Sequence, residues 1–123
     1  RLSFPDPQLR KQVEEAAIGA AKELLKKKNY RITDRQKDNC GYDLLAKHRK
    51  TEKELHVEVK GTIGEAMHFY MSRNEYRYMP SPQWRLIMVC DALGAANAEL
   101  LTASEVRKIF SLEAFAWEAI VKK

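Results

Sequence analysis

The amino-acid sequence predicts an α/β domain in which a central mixed β-sheet is flanked by helices in a three-layer-like sandwich. Three observations indicate this class: a long amphipathic helix comes first, a run of short strand-forming segments follows, and a continuous apolar strand leads into a C-terminal helical region. The 123 residues, 45% of them hydrophobic and 32% charged, suit one globular core. We therefore expect a single domain over residues 1–123.

The first helix is predicted over about residues 7–28. Asp6 and Pro7 stand where an N-cap and a first-turn proline belong, and the lysines at 26–28 suit the negative end of a helix. The apolar residues that recur at helical spacing are Leu9, Val13, Ala17, Ala20 and Leu24.

Strands are predicted in the middle of the chain. Residues 30–33 are rich in β-forming side chains, and a polar loop follows over 34–41. Two further strands, 42–47 and 54–61, flank a charged connector, and polar and apolar residues alternate strictly in the second of them. The elements predicted after these are a strand over 68–71, a short helix from the capping box of Ser72 and Glu75 toward Met79, a strand over 84–90, a short strand over 98–101 and a helical region after Thr102.

Composition also limits where the protein works. The apolar runs are too short to span a membrane, and Cys40 and Cys90 are too few for a disulfide scaffold or a four-ligand zinc site. With no signal peptide at the N-terminus, we expect a cytoplasmic protein. Because the chain starts at Arg1 rather than Met, we also expect a fragment of a longer protein.

Positive charge is concentrated in one part of the chain. The net charge is +5, and residues 22–53 hold 11 of the 22 basic side chains against 5 acidic ones. Such one-sided charge is typical of a nucleic-acid binder, and Arg49 and Lys50 are its leading candidates for phosphate contact. Arg73 and Asn74 on the short helix are further candidates. A solvated helix end with a basic loop explains the charge equally well.

The two middle strands define the candidate site. A hairpin centred on Lys50 and Thr51 places Asp43 opposite Glu58, with Lys60 on the same face. The predicted apolar face holds Tyr42, Leu44, Ala46, Leu55, Val57 and Val59, and the other face holds Asp43, Leu45, Lys47, Glu54, His56, Glu58 and Lys60. A shift of one residue would mix these sets, so the hydrophobic pattern supports the pairing.

Two opposed carboxylates predict a cation between them. Mg²⁺, or Mn²⁺ in its place, takes oxygen ligands, which Asp43 and Glu58 supply and to which the carbonyl of Val59 adds a third. Lys60 would lower the pKa of a metal-bound water, hold the resulting hydroxide in line, or neutralise charge on the phosphate. The alternative is a solvated strand face on which Lys60 itself neutralises the two acids.

The motif around these residues resembles a known nuclease superfamily. Residues 40–44 (CGYDL), followed by 57–62 (VEVKGT), resemble the GYD and EVKGT motifs of the PD-(D/E)XK, or restriction-endonuclease-like, superfamily. Within it the chain is similar to the NO VEIN-type C-terminal domain of bacterial helicase- or ATPase-linked defence proteins. Residues 13–17 (VEEAA) and 71–76 (MSRNEY) extend the likeness, which covers about residues 9–102.

The resemblance implies roles for individual residues. It implies that Asp43 and Glu58 bind metal, that Lys60 is the catalytic lysine, and that a glutamate of the first helix assists. Glu14 matches best, with the adjacent Glu15 on a different helical face. The resemblance also implies that the backbone of Gly61 and the hydroxyl of Thr62 approach the phosphate. The proline that the superfamily carries before the aspartate is Tyr42 here.

Together these observations predict a Mg²⁺-dependent, DNA-cleaving module of a larger prokaryotic antiviral-defence or DNA-processing protein. We expect it to work with the rest of a longer polypeptide or with an ATPase or helicase partner, and leave open whether it forms a homodimer. One alternative is a catalytically silent module that binds nucleic acid on the same fold. The other is a protein-interaction domain that connects the subunits of a defence complex.

Overall fold

A computed structural model describes residues 6–114, 119 and 121–122. Five strands form one sheet, and helices lie on both of its faces. The predicted sandwich with a mixed sheet is therefore confirmed. The elements are α1 (Pro7–Lys27), β1 (Tyr30–Asp34), a 3-10 helix (Gln36–Asp38), β2 (Leu44–His48), β3 (Glu54–Gly61), α2 (Arg73–Tyr78), β4 (Trp84–Cys90), β5 (Asn97–Thr102) and α3 (Ala103–Ile109).

Helix α1 follows its sequence signals closely. The Asp6 side chain accepts a hydrogen bond from the backbone N–H of Leu9 at 3.0 Å, which satisfies one of the free donors of the first turn. At the other end Asn29 takes a positive φ of 70°, which stops the helix. The buried residues of α1 are Val13, Ala17, Ala21 and Leu25, one from each successive turn, and they pack against the sheet.

The sheet has the order β1-β2-β3-β4-β5. Neighbouring strands are antiparallel except β3 and β4, which are parallel and are joined by the long connection that contains α2. The predicted hairpin register is confirmed over Leu44–Lys47, since Leu44 lies opposite Val57 and Ala46 opposite Leu55. The predicted pairing of Asp43 with Glu58 is wrong, because Asp43 precedes β2 and its N–H donates to the carbonyl of Val57. On the face away from α1, a second buried cluster joins α3 to the sheet; its members are Met79, Trp84, Leu86, Met88, Leu101 and Val106.

The strand predicted over 68–71 is wrong. This segment has no regular secondary structure and crosses the second face of the sheet on the way from β3 to α2. Phe69 and Met71 pack against the cluster around Trp84, and the Phe69 ring meets the edge of Phe110 with centroids 4.8 Å apart. Its aromatic and apolar residues therefore cover the sheet instead of pairing with it.

The position predicted for Tyr42 is also wrong. Its ring stacks on His56, with centroids 4.3 Å apart, and His56 belongs to the opposite face from Leu44. The cause lies in the backbone before β2. Gly41 has a φ of 98°, and the N–H of Asp43 donates to the carbonyl of Val57, one residue off the register of the hairpin. Alternation therefore begins only at Leu44.

Candidate active site around Glu58 and Lys60

Glu58 is an acidic residue in the interior of the sheet. Only 1% of its surface is exposed, and within the described part of the chain neither carboxylate oxygen accepts a hydrogen bond. Burial of an ionised carboxylate without such bonds is costly, so this position requires compensation by a cation or a proton. The Nζ of Lys60 lies 3.3 Å from Oε2 of Glu58, which is ion-pair distance.

Lys60 also contacts a second carboxylate. Its Nζ donates to Oε1 of Glu75 at 3.0 Å, so one ammonium group joins two acids. Glu75 stands at the third position of α2, where the capping box holds it: the same Oε1 accepts from the N–H of Ser72 at 2.8 Å. The capping of a short helix thus fixes the group that holds Lys60.

Asp43 completes the acidic group from the end of β2. Its Oδ2 accepts from the N–H of Val59 at 2.8 Å, so the carboxylate lies against the backbone of β3 beside Glu58. The N–H of His56 in β3 donates to the carbonyl of Gln83, and the N–H of Thr62, directly after β3, donates to the carbonyl of Val89. The even-numbered residues of this segment therefore direct their N–H groups toward β4. The N–H and carbonyl of Val59 therefore both point to the β2 side, where Asp43 lies.

Proton affinities in this group are strongly shifted. Burial, and after it the neighbouring carboxyl of Glu75, together raise the pKa of Glu58 from 4.5 to about 10, because the two acids compete for one proton. Burial opposes ionisation of Glu75 as well, but the neighbouring carboxyl of Glu58, which takes the shared proton, and the charge of Lys60 lower the pKa of Glu75 to about 2. The two acids together therefore hold one proton at neutral pH when no metal ion is present. The ammonium of Lys60 stays charged, because its two acidic neighbours outweigh desolvation and raise its pKa.

A cavity of about 530 Å³ opens onto this group. Asp43, Lys60 and Glu75 line it, and α1 contributes Glu14. Both Glu14 and the neighbouring Glu15 are exposed, but Glu15 is not among the lining residues. The structure thus separates the two candidate glutamates, and Glu14 faces the cavity.

Gly61 has a structural reason to be glycine. A Cβ at this position would lie 2.7 Å from the Cβ of Ala17 and 3.4 Å from Cγ1 of Val13, both on α1. The close approach of helix and strand therefore requires glycine here, whether or not a phosphate binds. Thr62 also lines the cavity, and its hydroxyl donates to the carbonyl of Gly64 at 2.9 Å.

The candidates for nucleic-acid contact lie in different places. Asn74 lines a smaller cavity of about 130 Å³ together with Asp43 and Glu58, and Arg73 is exposed at the start of α2. Arg49 and Lys50 are exposed in the turn between β2 and β3. That turn is about six residues from Glu58 along β3, or roughly 20 Å. The structure therefore does not bring Arg49 and Lys50 to the carboxylates.

His56 is held by the structure around it. Its ring stacks on Tyr42, its Nδ1 lies 2.5 Å from the hydroxyl of Tyr78, and its Nε2 lies 3.0 Å from Oε1 of Glu54. Both ring nitrogens are thus engaged within the protein.

Glu75 is the site residue that sequence reasoning missed. The capping pattern with Ser72 explained its presence completely, and no spacing rule connects it with β3. A signal was nevertheless present, because residues 71–76 belong to the stretch that resembles the nuclease superfamily.

The donor groups suit a hard divalent ion with few protein ligands. Among the described residues, no three His, Cys, Asp or Glu side chains are arranged to hold a metal. Mg²⁺ commonly binds through one or two carboxylates and completes its shell with water and substrate phosphate. Asp43, the unbonded oxygens of Glu58 and the carbonyl of Val59 fit that requirement.

The comparisons with known proteins identify a family. The model of the family described as "Protein NO VEIN, C-terminal" matches residues 13–106, about three-quarters of the chain. No curated protein and no solved structure matches. Over residues 6–114, 119 and 121–122, no helix is long and apolar enough to cross a membrane.

Proposed function

The chain belongs to the family of the C-terminal domain of protein NO VEIN, and we propose that it is a metal-dependent nuclease of PD-(D/E)XK type that hydrolyses phosphodiester bonds of DNA. The observation that carries this proposal is the buried Glu58, whose oxygens accept no hydrogen bond within the described chain and which lies beside Lys60. A fold gains no stability from such a group, whereas a metal site requires one.

The acidic residues would hold the ion. Glu58 in β3 and Asp43, directly before β2, offer carboxylate oxygens, and Val59 offers a carbonyl on the side where Asp43 lies. When bound, Mg²⁺ or Mn²⁺ would polarise the phosphate and lower the pKa of a coordinated water. Binding of a cation also removes the proton that Glu58 otherwise retains, so occupancy should rise with pH.

Lys60 would act on the reacting phosphate. Its ammonium lines the open cavity and stays charged, so it is positioned to stabilise negative charge that develops on the phosphoryl oxygens. Glu14, which lines the same cavity, would orient the attacking water. Glu75 would restrain the lysine side chain through the 3.0 Å contact.

Family membership bears on the setting of this activity. The matched domain is the C-terminal part of protein NO VEIN, so we propose that the present domain is also linked to further regions of a longer protein. An ATPase or helicase partner and a role in prokaryotic defence are parts of this proposal, which leaves open whether the domain forms a homodimer.

One observation favours a silent binding module instead. Lys60 already joins Glu58 and Glu75 at 3.3 and 3.0 Å and neutralises them without a metal ion. On this alternative the domain binds nucleic acid through its basic residues and does not cut it.

Incubation of purified domain with plasmid, linear duplex and RNA tests both functions. We expect cutting of DNA in Mg²⁺ or Mn²⁺ and none in chelator, together with loss of cutting in Glu14→Gln and not in its matched control Glu15→Gln. Binding of DNA without cutting in any metal would favour the silent module. Cutting that persists in chelator would overturn the metal-dependent mechanism.

A further inference from the structure

A group of basic side chains lies at the end of the domain away from the acidic site. Three come from the last turn of α1 and its cap, and three from the turn between β2 and β3. The two segments are joined, since the N–H of Arg49 donates to the carbonyl of Asn29 at 3.0 Å. We call this surface the basic end; its members are Lys26, Lys27, Lys28, Arg49, Lys50 and Lys53, and all six are exposed.

The charge of the basic end is not balanced nearby. Within residues 6–114, 119 and 121–122, none of its six side chains forms an ion pair. The acid of the same turn, Glu52, contacts Lys47 at 3.8 Å instead. The helix dipole accounts for cations at the end of α1, but not for those of the turn. Six unpaired positive charges in one place indicate a polyanionic partner.

The turn is rigid before any partner arrives. Nδ1 of His48 accepts hydrogen bonds from the N–H groups of Lys50 and Thr51, each at 3.2 Å. The N–H of His48 donates to the carbonyl of Lys53 at 2.8 Å, and its own carbonyl accepts from Glu52 at 3.0 Å. Because the backbone is already ordered, binding here loses little conformational entropy.

Two independent measures give the distance between the basic end and the acidic site. Along β3, the turn is about six residues from Glu58, or roughly 20 Å. Along α1, Glu14 of the cavity wall and Lys27 are thirteen residues apart, which at about 1.5 Å per residue is again roughly 20 Å. A partner that reaches both must keep its phosphates at a fixed separation of this size.

We propose that the basic end anchors the phosphate backbone of duplex DNA, about six base pairs from the phosphodiester at the acidic site. A duplex advances about 3.4 Å per base pair and is stiff over many helical turns, so one rigid ligand spans both surfaces. The inference deepens the proposed nuclease function by naming the duplex as substrate. The anchoring itself requires no cutting and is testable without it.

The test uses charge reversal at matched positions. Lys27→Glu, Arg49→Glu and Lys50→Glu are combined in one variant; the control combines Lys11→Glu, Arg107→Glu and Lys108→Glu, which are also exposed and change the net charge equally. Binding of a fluorescent 20-base-pair duplex is measured in EDTA over a salt series. Each phosphate contact adds about 0.9 to the slope of log affinity against log salt, so the basic-end variant should lose about 2 to 3 from the slope and the control less than 1. Circular dichroism confirms that both variants fold.

Equal slopes for the two variants would overturn the anchoring surface, since the loss would then follow net charge alone. Binding of the parent to vesicles of phosphatidylserine and phosphatidylcholine, with no binding of the duplex, would assign the basic end to a membrane and would equally overturn it. A duplex that binds through the basic end while Mg²⁺ produces no cutting would sustain this inference and refute the nuclease. Failure of the two proposals is therefore distinguishable.

Discussion

Lys60 and Glu75 form an ion pair across the edge of the candidate site, with Nζ 3.0 Å from Oε1. The pair connects strand β3 with the first turn of α2; at the other end of the helix the two elements meet again, where Nδ1 of His56 lies 2.5 Å from the hydroxyl of Tyr78. The same Oε1 accepts the N–H of Ser72, so the cap of α2 and the orientation of Lys60 depend on one oxygen. The position of the lysine is therefore fixed by helix capping.

Glu75→Gln tests this dependence with little disturbance of the helix. Glutamine serves in a capping box as glutamate does, but it lacks the charge that holds Lys60. We expect α2 to persist and the free energy of unfolding to fall by about 1–2 kcal/mol, which is typical of a lost charge-assisted hydrogen bond. If the domain cuts DNA, turnover should fall by about tenfold with KM nearly unchanged, because the lysine loses its restraint.

Glutamine at position 105 provides the control, since Glu105 makes the equivalent capping box with Thr102 and contacts no lysine of the site. Glu105→Gln should leave turnover unchanged. A drop in turnover of the same size in both variants would show that helix capping, and not the Lys60 contact, determines the effect.

Glu58→Gln should remove a pH dependence of stability. In the absence of metal, the folded protein retains a proton on Glu58 up to about pH 10, whereas the unfolded chain loses it near 4.5. Between these values the folded state binds more protons, so the free energy of unfolding of the parent falls as pH rises. The contribution of Glu75 to the free energy of unfolding is fully present above about pH 4.5 and is lost only as the pH falls toward 2. The contribution of Lys60 is lost only above pH 10.5, its ordinary pKa. Neither residue therefore changes stability between pH 4.5 and pH 10.

Urea unfolding at pH 6 and pH 9 measures this effect. The parent should lose stability between the two values, and Glu58→Gln, which mimics the protonated acid, should lose less and be at least as stable at pH 9. Added Mg²⁺ should restore stability at pH 9 in the parent alone. A parent and a variant with the same pH dependence would mean that Glu58 ionises normally.

The hairpin was predictable because two independent patterns agree on it. Strict alternation over 54–60 fixes which side chains share a face, and the apolar set of Leu44 and Ala46 then permits one register. The position of Tyr42 was not predictable, because it depends on the positive φ of Gly41 and on a local break in the ladder. Periodicity extends only as far as the regular backbone does.

The contacts of Glu75 lie beyond sequence patterns for a different reason. They depend on the path of the chain between β3 and α2, where the strand predicted over 68–71 does not form. Segments rich in aromatic residues pair in a sheet or cover one, and local composition does not distinguish the two. The closeness of Asp43 and Glu58 could therefore be predicted, and the presence of the third acid, Glu75, could not.

Gly61→Ala should destabilise the domain through packing alone. The new methyl group would lie 2.7 Å from Cβ of Ala17, so α1 must move away from β3. Overpacking of this kind costs about 1–3 kcal/mol. Gly19→Ala is the control, because Gly19 lies in α1 and a Cβ added there would meet no atom within 4 Å outside the helix's own backbone. This substitution should raise the free energy of unfolding by about 0.5–1 kcal/mol. Thermal unfolding of both variants without DNA decides whether the glycine serves packing, and equal stability of Gly61→Ala and parent would refute it.

Lys60→Ala separates catalysis from binding. As the catalytic lysine, Lys60 acts on charge that develops in the transition state, so its loss should lower turnover by a factor on the order of hundreds or more. Affinity for DNA should fall by only about one phosphate contact.

If Lys60 served only to neutralise the two acids, its replacement by alanine would leave Glu58 and Glu75 uncompensated. A bound metal ion would then take the place of the ammonium group. Metal affinity would then be equal or tighter and cutting largely retained. Turnover and DNA affinity measured together at saturating Mg²⁺ distinguish these roles, and a variant that cuts within about threefold of the parent would exclude catalysis by Lys60.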